Sequence, residues 1–189
     1  MRYDLKEWLE WKGEEVLRGV GIKEGQTVLD FGCGSGNYTI PAAKIVGKEG
    51  VVYALDKKKS TLDELMRRAE MECLSNIRRI DTSGQVKTNL DNESVDVVLL
   101  YDIFWYFPLS DPKLTELLAE IHRITKLDAL ISVYPKHIDS EQLKYKIESC
   151  GFRLKEKYSG MFLHHNWLEK GEVHNFTRVT KKQFLSMES

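Results

Sequence analysis

The sequence predicts an α/β fold built around a mainly parallel β-sheet. Short apolar runs of strand length alternate along the chain with longer amphipathic stretches, and this alternation is typical of a parallel sheet covered by helices. Glycines or polar turns bound most of the apolar runs, which favours strands over segments of buried helix.

Seven strands account for the apolar runs. Five are expected, in chain order, at residues 27–31, 51–55, 77–81, 95–100 and 129–134. The C-terminal part, residues 152–180, predicts two further strands around a long loop, and the second of them carries Val173, Phe176 and Val179. A final antiparallel hairpin fits this pattern.

Helices are expected between the strands. The helical spacing of apolar residues indicates helices over residues 4–19, 37–46, 60–74, 112–126 and 140–150. Gly19 and Gly21 are expected to end the first helix, and Ser60 or Thr61 to cap the third. Asp111, followed by a proline at the first helical position, is expected to begin the fourth.

Length, composition and charge indicate one globular domain. The 189 residues suffice for a single core, and 42% hydrophobic and 30% charged residues are ordinary values. The formal net charge of −1 provides no long-range attraction to a phosphate backbone. Nucleic acid is therefore not expected as a partner.

The cysteines and the apolar segments bear on the compartment. Cys33, Cys73 and Cys150 are odd in number and far apart, which favours a reducing cytoplasm over a disulfide framework. The first residues lack the apolar core of a signal peptide, and no apolar run approaches the roughly 18 residues of a membrane helix. We therefore expect a soluble cytoplasmic protein with no membrane partner.

The loop after the first predicted strand carries the clearest functional signal. Residues 30–38 read Asp-Phe-Gly-Cys-Gly-Ser-Gly-Asn-Tyr. Ligands bind to parallel sheets at this point, the carboxyl end of the strands. Alternating glycines let the backbone approach a ligand closely, because no Cβ stands in the way. The loop N–H groups and the following helix N-terminus can hold a carboxylate or a phosphate.

Two common nucleotide-binding loops do not fit this spacing. A P-loop requires Gly-Lys-Ser/Thr at its end, whereas this loop ends in Gly36-Asn37-Tyr38. The dinucleotide fingerprint Gly-x-Gly-x-x-Gly fails in both possible alignments, because its third glycine would fall on Asn37 or Thr39.

The remaining pattern, Asp-x-Gly-x-Gly-x-Gly at residues 30–36, resembles motif I of the class I S-adenosylmethionine-dependent methyltransferases. The wider stretch from Gly25 to residues 41–43 is similar to small archaeal and bacterial members related to quinone-biosynthesis methyltransferases. The resemblance covers about residues 20–135 in order and spacing. It implies a Rossmann-like three-layer sandwich, with a mainly parallel seven-stranded sheet and a C-terminal antiparallel hairpin.

The resemblance also implies how a single methyltransferase domain, residues 1–189, is divided. Residues 1–24 would form an N-terminal cap helix and residues 25–135 the cofactor-binding core. Residues 136–189 would form a C-terminal helix and the hairpin.

Acids at strand ends acquire roles from the same resemblance. Asp30 would orient the glycine loop and face the methionyl ammonium of the cofactor. Asp56 would hold both ribose hydroxyls, because one carboxylate offers two acceptor oxygens to a vicinal diol. Lys57 belongs either to a solvated turn or to the adenosine contact. Asp81 and Thr82 match the position that approaches the adenine amino group, with a solvated surface position as the alternative for Asp81.

After the fourth strand the family places backbone carbonyls against the methionine end of the cofactor. Tyr101 and Asp102 occupy that place. The complete set of residues expected to contact the cofactor is Asp30, Gly32, Cys33, Gly34, Ser35, Gly36, Asp56, Lys57, Asp81, Thr82, Tyr101 and Asp102.

Other conspicuous side chains have both structural and functional interpretations. Residues 104–107, Phe-Trp-Tyr-Phe, form either a hydrophobic wedge in the core or an aromatic wall over the reactive methyl group. His164, His165 and His174 could suggest a metal centre. Because two of them are adjacent and no carboxylate lies at ligand spacing, surface positions are favoured and no metal site is predicted.

Three more residues are assigned structural roles. Cys33 is expected to be a small loop residue rather than a nucleophile, since no base lies near it in sequence. Trp8 and Trp11 are expected to pack in the core. In the family this N-terminal helix often covers the cofactor or shapes the substrate pocket, so one of the two could do so here.

The resemblance implies methyl transfer from S-adenosylmethionine, which leaves S-adenosylhomocysteine. Because the cofactor supplies the reactive methyl group, the protein has to align the reactants and exclude water. A general base is needed only for an acceptor that holds its proton tightly. No catalytic residue is therefore assigned, and Asp102, Tyr106 and His137 are candidates by location only.

A small-molecule acceptor is favoured. Residues 102–105 read Asp-Ile-Phe-Trp, without the prolines of amino-methylating nucleic-acid enzymes. Neither Cys33 nor Cys150 follows a proline, as the nucleophile of cytosine-5 enzymes does. A lid would have to come from the N-terminal helix and a loop at residues 159–171; otherwise the site would be open to a protein substrate. A nicotinamide-dependent oxidoreductase and a non-catalytic cofactor-binding module remain the alternatives.

Overall fold

A seven-stranded sheet organises residues 3–179, the part of the chain that this computed structural model describes. The order across the sheet is β3-β2-β1-β4-β5-β7-β6. Strands β1 to β5 pair in parallel, whereas β7 runs antiparallel to both β5 and β6. The strands are β1 (Thr27–Phe31), β2 (Val51–Asp56), β3 (Ile77–Asp81), β4 (Val95–Tyr101), β5 (Thr125–Tyr134), β6 (Phe152–His164) and β7 (Trp167–Arg178).

The chain order reverses across the sheet at β1. Strands β2 and β3 lie on one side of it, and β4 and β5 on the other. In open α/β sheets, ligands bind outside the carboxyl ends of the strands at such a switch point. The glycine loop leaves β1 at this position, where the sequence predicts a ligand.

Helices cover both faces of the sheet and form two separate apolar cores. Successive residues of β4 alternate between them: Val97 and Leu99 join one core, and Val98 and Leu100 the other. The first core also includes residues of α2 to α4, the second residues of α5 and α6, and this confirms the predicted three-layer arrangement. The helices are α1 (Tyr3–Glu7), α2 (Gly13–Val20), α3 (Thr39–Val46), α4 (Lys59–Met71), α5 (Pro112–Ile124) and α6 (Ser140–Glu148).

The N-terminal helix differs from the prediction in two details. A π-helical turn, Trp8–Lys12, joins α1 to α2, so the segment is one continuous helix with a widened turn. Gly19 lies inside α2 rather than at its end. Gly21 ends the helix with φ of +122°, a conformation that glycine adopts at little cost.

The predicted caps of two helices have different outcomes. Asp111 caps α5 as expected, because its side chain accepts a hydrogen bond from the Lys113 N–H. The predicted cap of α4 at Ser60 or Thr61 is wrong, because that helix already begins at Lys59. The Asp56 carboxylate accepts a 2.7 Å hydrogen bond from the Lys58 N–H and so organises the turn that precedes the helix.

The C-terminal hairpin is more regular than predicted. The long loop expected at residues 159–171 is wrong, because β6 and β7 pair from Phe152↔Arg178 to His164↔Trp167. Only His165 and Asn166 separate the strands, and both have positive φ, +47° and +67°. Two left-handed residues are characteristic of a type I′ hairpin turn.

The tip of the hairpin reaches past the carboxyl edge of the sheet. Strand β5 pairs with β7 only up to Val133↔His174, so residues 167–173 extend beyond it. The Leu168 N–H donates a 3.2 Å hydrogen bond to Asp4 of α1. The paired tip therefore lies where the sequence analysis expected a loop to cover the site.

None of the helices within residues 3–179 combines the length and the apolar character needed to cross a membrane. The two ends of the predicted single domain, residues 1–2 and 180–189, lie outside the described residues, as does the last residue of the predicted second hairpin strand.

Candidate functional site

A cavity of about 530 Å³ opens at the carboxyl ends of the strands next to the switch point. This volume lies within the range of small-molecule sites, about 300–1,000 Å³. The glycine loop and the residues after β2, β3 and β4 all contribute to its wall; they include Gly32, Asp56, Thr82, Asp102, Tyr106 and Phe107.

The glycines of the loop meet two different steric demands. All three have positive φ: +80° at Gly32, +53° at Gly34 and +85° at Gly36. A Cβ on Gly32 would lie 2.6 Å from Cγ2 of Ile103, and a Cβ on Gly36 would overlap the side chain of Leu65. A Cβ on Gly34 would meet no atom within 4 Å. Two of the glycines therefore permit close packing, and the middle one only permits the backbone conformation.

The Asp56 carboxylate joins the glycine loop to the end of β2. Its Oδ2 accepts a 2.9 Å hydrogen bond from the Gly34 N–H, and its Oδ1 accepts the bond from Lys58. The residue is half-buried and lines the cavity. Each carboxylate oxygen can accept a second hydrogen bond, so Asp56 can also receive hydroxyl groups of a ligand.

Asp30 is a buried acid close to the loop. Burial raises its pKa to about 7; the hydroxyl of Thr39, which donates a 2.6 Å hydrogen bond, acts in the opposite direction, and the charge of Asp56 adds to the rise. Within residues 3–179 no cationic side chain forms an ion pair with it. A positive group of a ligand placed nearby would favour its ionised form.

The end of β3 presents Thr82, rather than Asp81, to the cavity. Thr82 lines the cavity, whereas Asp81 is exposed and is not among the lining residues. Arg79 holds the Asp81 carboxylate with bonds of 2.7 and 2.5 Å, because side chains two residues apart on a strand share a face. Because Asp81 lies outside the cavity lining, a contact between Asp81 and adenine would require its side chain to move.

Lys57 lines the cavity with its ammonium 3.7 Å from the centroid of the Tyr106 ring. This is the geometry of a cation–π interaction. The pair joins the loop after β2 to the loop after β4 across the cavity wall.

The remaining predicted loop residues have structural partners. Cys33 is buried, and its pKa is raised by burial and by the charges of Asp30 and Asp56, so its sulfur is held as a thiol. The Ser35 carbonyl oxygen accepts a 2.5 Å hydrogen bond from Arg68. These contacts fix the loop backbone.

Tyr101 packs beneath the site. Its buried hydroxyl lies 2.7 Å from Oγ of Ser132, and its ring meets that of Tyr38 edge to face at 4.8 Å. Its side chain does not line the cavity, so a contact from this position to a ligand would come from the backbone, as the resemblance implies.

The aromatic segment after β4 has side chains both in the core and in the cavity wall. Phe104 is buried in the core, whereas Tyr106 and Phe107 line the cavity. Trp105 and Tyr106 are 60% and 62% exposed. The segment therefore contributes both a core wedge and an aromatic wall.

The two tryptophans of the N-terminal helix differ in environment. Trp8 is fully buried, and its Nε1–H donates a 2.7 Å hydrogen bond to the Asn37 carbonyl of the glycine loop. The prediction that Trp11 packs in the core is wrong, because that residue lies in the π-helical turn and is 50% exposed. Trp8 thus anchors the helix to the candidate site.

The environments of the histidines differ most from the sequence-based prediction. His165 is exposed, but the expected surface position is wrong for His164 and His174, which are both buried. Nδ1 of His164 lies 2.9 and 3.0 Å from the two carboxylate oxygens of Asp102, and its Nε2 lies 3.2 Å from Nε2 of His137. No motif signalled this cluster, because 62 residues separate His164 from Asp102. The described residues contain no group of three side chains suited to hold a metal ion.

Comparison with known proteins identifies the family. A family model described as a methyltransferase domain matches residues 28–128, from β1 into β5. The chain belongs to this methyltransferase domain family. The match includes the glycine loop, Asp56 and the segment after β4, and it confirms the resemblance to class I S-adenosylmethionine-dependent methyltransferases.

Two relatives of this methyltransferase-family chain are similar in sequence. A demethylmenaquinone methyltransferase of Geobacillus stearothermophilus is 32% identical over 119 residues, which are 62% of this chain and 48% of the relative. A probable cobalt-precorrin-6B C(15)-methyltransferase (decarboxylating) of Saccharolobus solfataricus is 36% identical over 86 residues, 45% of this chain and 43% of the relative. The chain thus spans about half the length of the curated relatives it matches.

Solved structures confirm the fold. A SAM-dependent methyltransferase from Aquifex aeolicus superposes with a TM-score of 0.69 at 24% identity, covering 87% of this chain and 89% of that chain. TYW2 of M. jannaschii, solved in complex with AdoMet, has a TM-score of 0.59 at 20% identity, covering 88% and 75%. The predicted Rossmann-like fold, with its mainly parallel sheet and C-terminal hairpin, is confirmed.

Proposed function

We propose that this protein binds S-adenosylmethionine in the cavity at the switch point and transfers its methyl group to a small-molecule acceptor. The observation that carries the proposal is the position of Asp56, which lines the cavity at the end of β2 while it fixes the glycine loop through Gly34. The membership of the methyltransferase domain family supports it.

The residues around the cavity suit the chemical groups of this cofactor. Asp56 would accept the ribose hydroxyls, and the buried Asp30, with its raised pKa, would gain a counter-charge from the methionyl ammonium. Ile103 and Phe107 give the cavity apolar walls for a purine, with the hydroxyl of Thr82 beside them. Volume, charge and wall composition therefore fit the group.

The other residues expected to contact the cofactor would do so through backbone atoms, or they lie outside the cavity lining. Gly32 and Gly34 would let the backbone approach the methionine end, with the carbonyls of Tyr101 and Asp102 opposite. The Arg79–Asp81 pair lies outside the lining residues, so Asp81 would join the adenine contact only after rearrangement.

When bound, the cofactor supplies a sulfonium methyl group that a nucleophile displaces in line. The protein would contribute alignment and exclusion of water. Trp8 fixes the N-terminal helix against the glycine loop, and Asn166 at the hairpin tip lies 3.4 Å from Asn37. These two elements would cover the methionine end of the cavity.

Small molecules are the proposed acceptors, and nucleic acids and membranes are not proposed as partners. Two relatives are named for methylation of a demethylmenaquinone and of a cobalt-precorrin, both small molecules. The net charge of −1 also favours this acceptor class. The three free cysteines, of which Cys73 is exposed, support a location in the reducing cytoplasm.

Turnover with methyl-labelled S-adenosylmethionine and a panel of small acceptors tests the activity. We expect S-adenosylhomocysteine to form together with a labelled small molecule. Cofactor binding in a stable complex with another protein, without S-adenosylhomocysteine formation on any acceptor, would instead identify a non-catalytic module.

A further inference from the structure

Three side chains that are far apart in sequence meet at the carboxyl edge of the sheet. Asp102 follows β4, His137 follows β5, and His164 ends β6. Both carboxylate oxygens of Asp102 lie within 3.0 Å of Nδ1 of His164. Nε2 of His164 lies 3.2 Å from Nε2 of His137. The chain of contacts runs from Asp102, which lines the cavity, through a buried imidazole to the exposed ring of His137.

The hydrogen-bond partners fix where the protons reside. An ionised carboxylate only accepts, so the proton of a neutral His164 is on Nδ1 and its Nε2 carries a lone pair. The hydrogen between the two imidazoles then belongs to Nε2 of His137, and the lone pair of its ring is on Nδ1. Among the hydrogen bonds of residues 3–179, none involves Nδ1 of His137. Asp102 thereby determines, through His164, which nitrogen of His137 is basic.

The backbone around Asp102, His164 and His137 adopts unfavourable conformations. Six non-glycine residues within the described range have positive φ, and four of them, Asp102, His137, His165 and Asn166, surround the cluster. Such conformations are energetically unfavourable and persist where the surrounding structure imposes them. The strain therefore coincides with the residues that aim these side chains.

The terminal imidazole lies against an aromatic surface. The rings of Trp105 and His137 are 4.1 Å apart between centroids, and both residues are exposed. A flat aromatic molecule can stack beside such a surface while its substituents reach the free nitrogen.

We propose that Asp102, His164 and His137 accept the proton of the methyl acceptor, an aromatic hydroxyl compound. His137 is the catalytic base, and His164 and Asp102 are positioning residues that also receive the charge. This inference rests on the proposed methyl transfer and adds to it the acceptor class and the base.

The hydroxyl proton of the acceptor leaves through the two imidazole rings. Nδ1 of His137 takes the hydroxyl proton while the acceptor oxygen bonds to the methyl carbon, and the carbon–sulfur bond breaks with its electron pair kept by sulfur. The hydrogen on Nε2 of His137 passes to Nε2 of His164. The positive charge given up by the sulfonium then resides on an imidazolium beside the Asp102 carboxylate, and exposed His137 can return the proton to water.

Other charged groups approach the central imidazole from the packed elements. His165 stacks on it at 4.1 Å between ring centroids. Glu169 approaches from β7. Burial would raise the pKa of this acid, but its bonds to Lys136 and Tyr134 and the nearby imidazole of His164 lower it. The charged groups near the central imidazole are therefore the carboxylate of Asp102 and the ion pair of Glu169 with Lys136.

Nitrogen NMR of the imidazole rings tests the proton positions without any acceptor. The full chain is measured alone and with S-adenosylhomocysteine, as the wild type and as the control His122→Gln, which removes a half-buried histidine of α5 outside the cluster of Asp102, His164 and His137. We expect the proton on Nδ1 of His164 and on Nε2 of His137 in both proteins. Protonation of the opposite nitrogens would overturn the inference, and if S-adenosylhomocysteine binds in that case, the proposed function stands without it.

Kinetics with naphthol, catechol and phenol as probes test the catalytic role. We expect methylation of at least one probe, and His137→Gln to lower kcat about a hundredfold with less than about a twofold change in KM for S-adenosylmethionine. The dependence of the rate on pH should be lost in this variant and in His164→Gln, and remain in His122→Gln. An unchanged pH profile in His137→Gln, a requirement for a divalent metal, or no methylation of any probe would overturn the inference.

Discussion

The backbone N–H of Gly34 donates a 2.9 Å hydrogen bond to Asp56 Oδ2, and this bond joins the loop after β1 to the end of β2. The same carboxylate lines the cavity. One side chain therefore determines the position of the glycine loop and presents acceptor oxygens to a bound molecule, so the loop and the polar contact are formed together.

Replacing this acid should weaken ligand binding. Asp56→Ala is expected to reduce the affinity for S-adenosylhomocysteine by about 1–3 kcal/mol, because the ribose hydroxyls would lose a charged acceptor. Calorimetric titration measures the change. Asp81→Ala is the matched control: Asp81 pairs with Asp56 in the β2–β3 register but is exposed and held by Arg79, and we expect it to change the affinity less than about twofold.

Equal losses in the two variants would instead support a direct role of Asp81 in the adenine contact. Unchanged affinity in Asp56→Ala would contradict the assignment of that acid to the ribose.

Alanine at two glycines of the same loop should have different effects on stability. Gly34→Ala is expected to cost about 1–2 kcal/mol, because its positive φ disfavours any Cβ. Gly36→Ala is expected to cost about 1–3 kcal/mol more, because its Cβ would also overlap the fully buried Leu65. Urea unfolding of both variants measures the difference, and equal stabilities would show that the loop can move away from α4.

Asp30 should make the protein less stable as the pH rises. Its folded-state pKa of about 7 is above the ordinary aspartate value of 3.8, so between these two values the folded state retains a proton that the unfolded chain has lost. The stability contribution is complete below pH 3.8 and is lost as the pH rises through 7. Asn at this position cannot titrate and keeps an acceptor for Thr39.

The pH dependence is measured as the difference in unfolding free energy between Asp30→Asn and the wild type. We expect the variant to gain about 2–3 kcal/mol on the wild type between pH 5 and pH 8. A difference that does not change with pH would mean that Asp30 is ionised in the folded protein throughout this range.

Glu120 should stabilise the segment that borders the cavity. Burial alone would raise the pKa of this acid, but hydrogen bonds from Arg123 and from Thr88 lower it to about 2. The contribution is therefore present above pH 4.5 and is lost as the pH falls through 2. Glu120→Gln is expected to lower the free energy of unfolding by about 1.5–3 kcal/mol at pH 7.

Chemical denaturation at pH 7 and pH 3 measures this effect. The loss should be smaller at pH 3, and Glu116→Gln, an exposed site on the same helix, should stay within about 0.5 kcal/mol of the wild type at both values. A loss in Glu120→Gln that is the same at both pH values would contradict the role of the charge.

The sequence predicts the strands of the parallel core well and the hairpin poorly. The bounds of β1 and β3 agree residue for residue with the prediction, because each is a short run ended by a turn. Residues 153–161 have no buried side chain, so they carry little of the alternation that marks a strand. The turn at His165 and Asn166 lacks the glycine that usually signals a hairpin.

The sequence also predicts one part of the candidate site better than the other. The loop glycines and Asp56 belong to one β-α-β unit, so their spacing in sequence encodes their arrangement in space. The contact between Asp102 and His164 depends on where the hairpin tip lies, and the contact between His164 and His137 depends on the loop after β5. Neither distance is encoded by local spacing, and the sequence therefore favoured surface positions for the histidines.

Binding of the cofactor is the central claim, and calorimetric titration of the full chain with S-adenosylmethionine, S-adenosylhomocysteine and NADH tests it most directly. We predict a dissociation constant on the order of micromolar for the first two, corresponding to about −8 kcal/mol, and no binding of NADH. Binding of NADH alone would contradict the assignment and identify a nicotinamide-binding protein, and binding of none of the three would show that the cavity does not hold this cofactor.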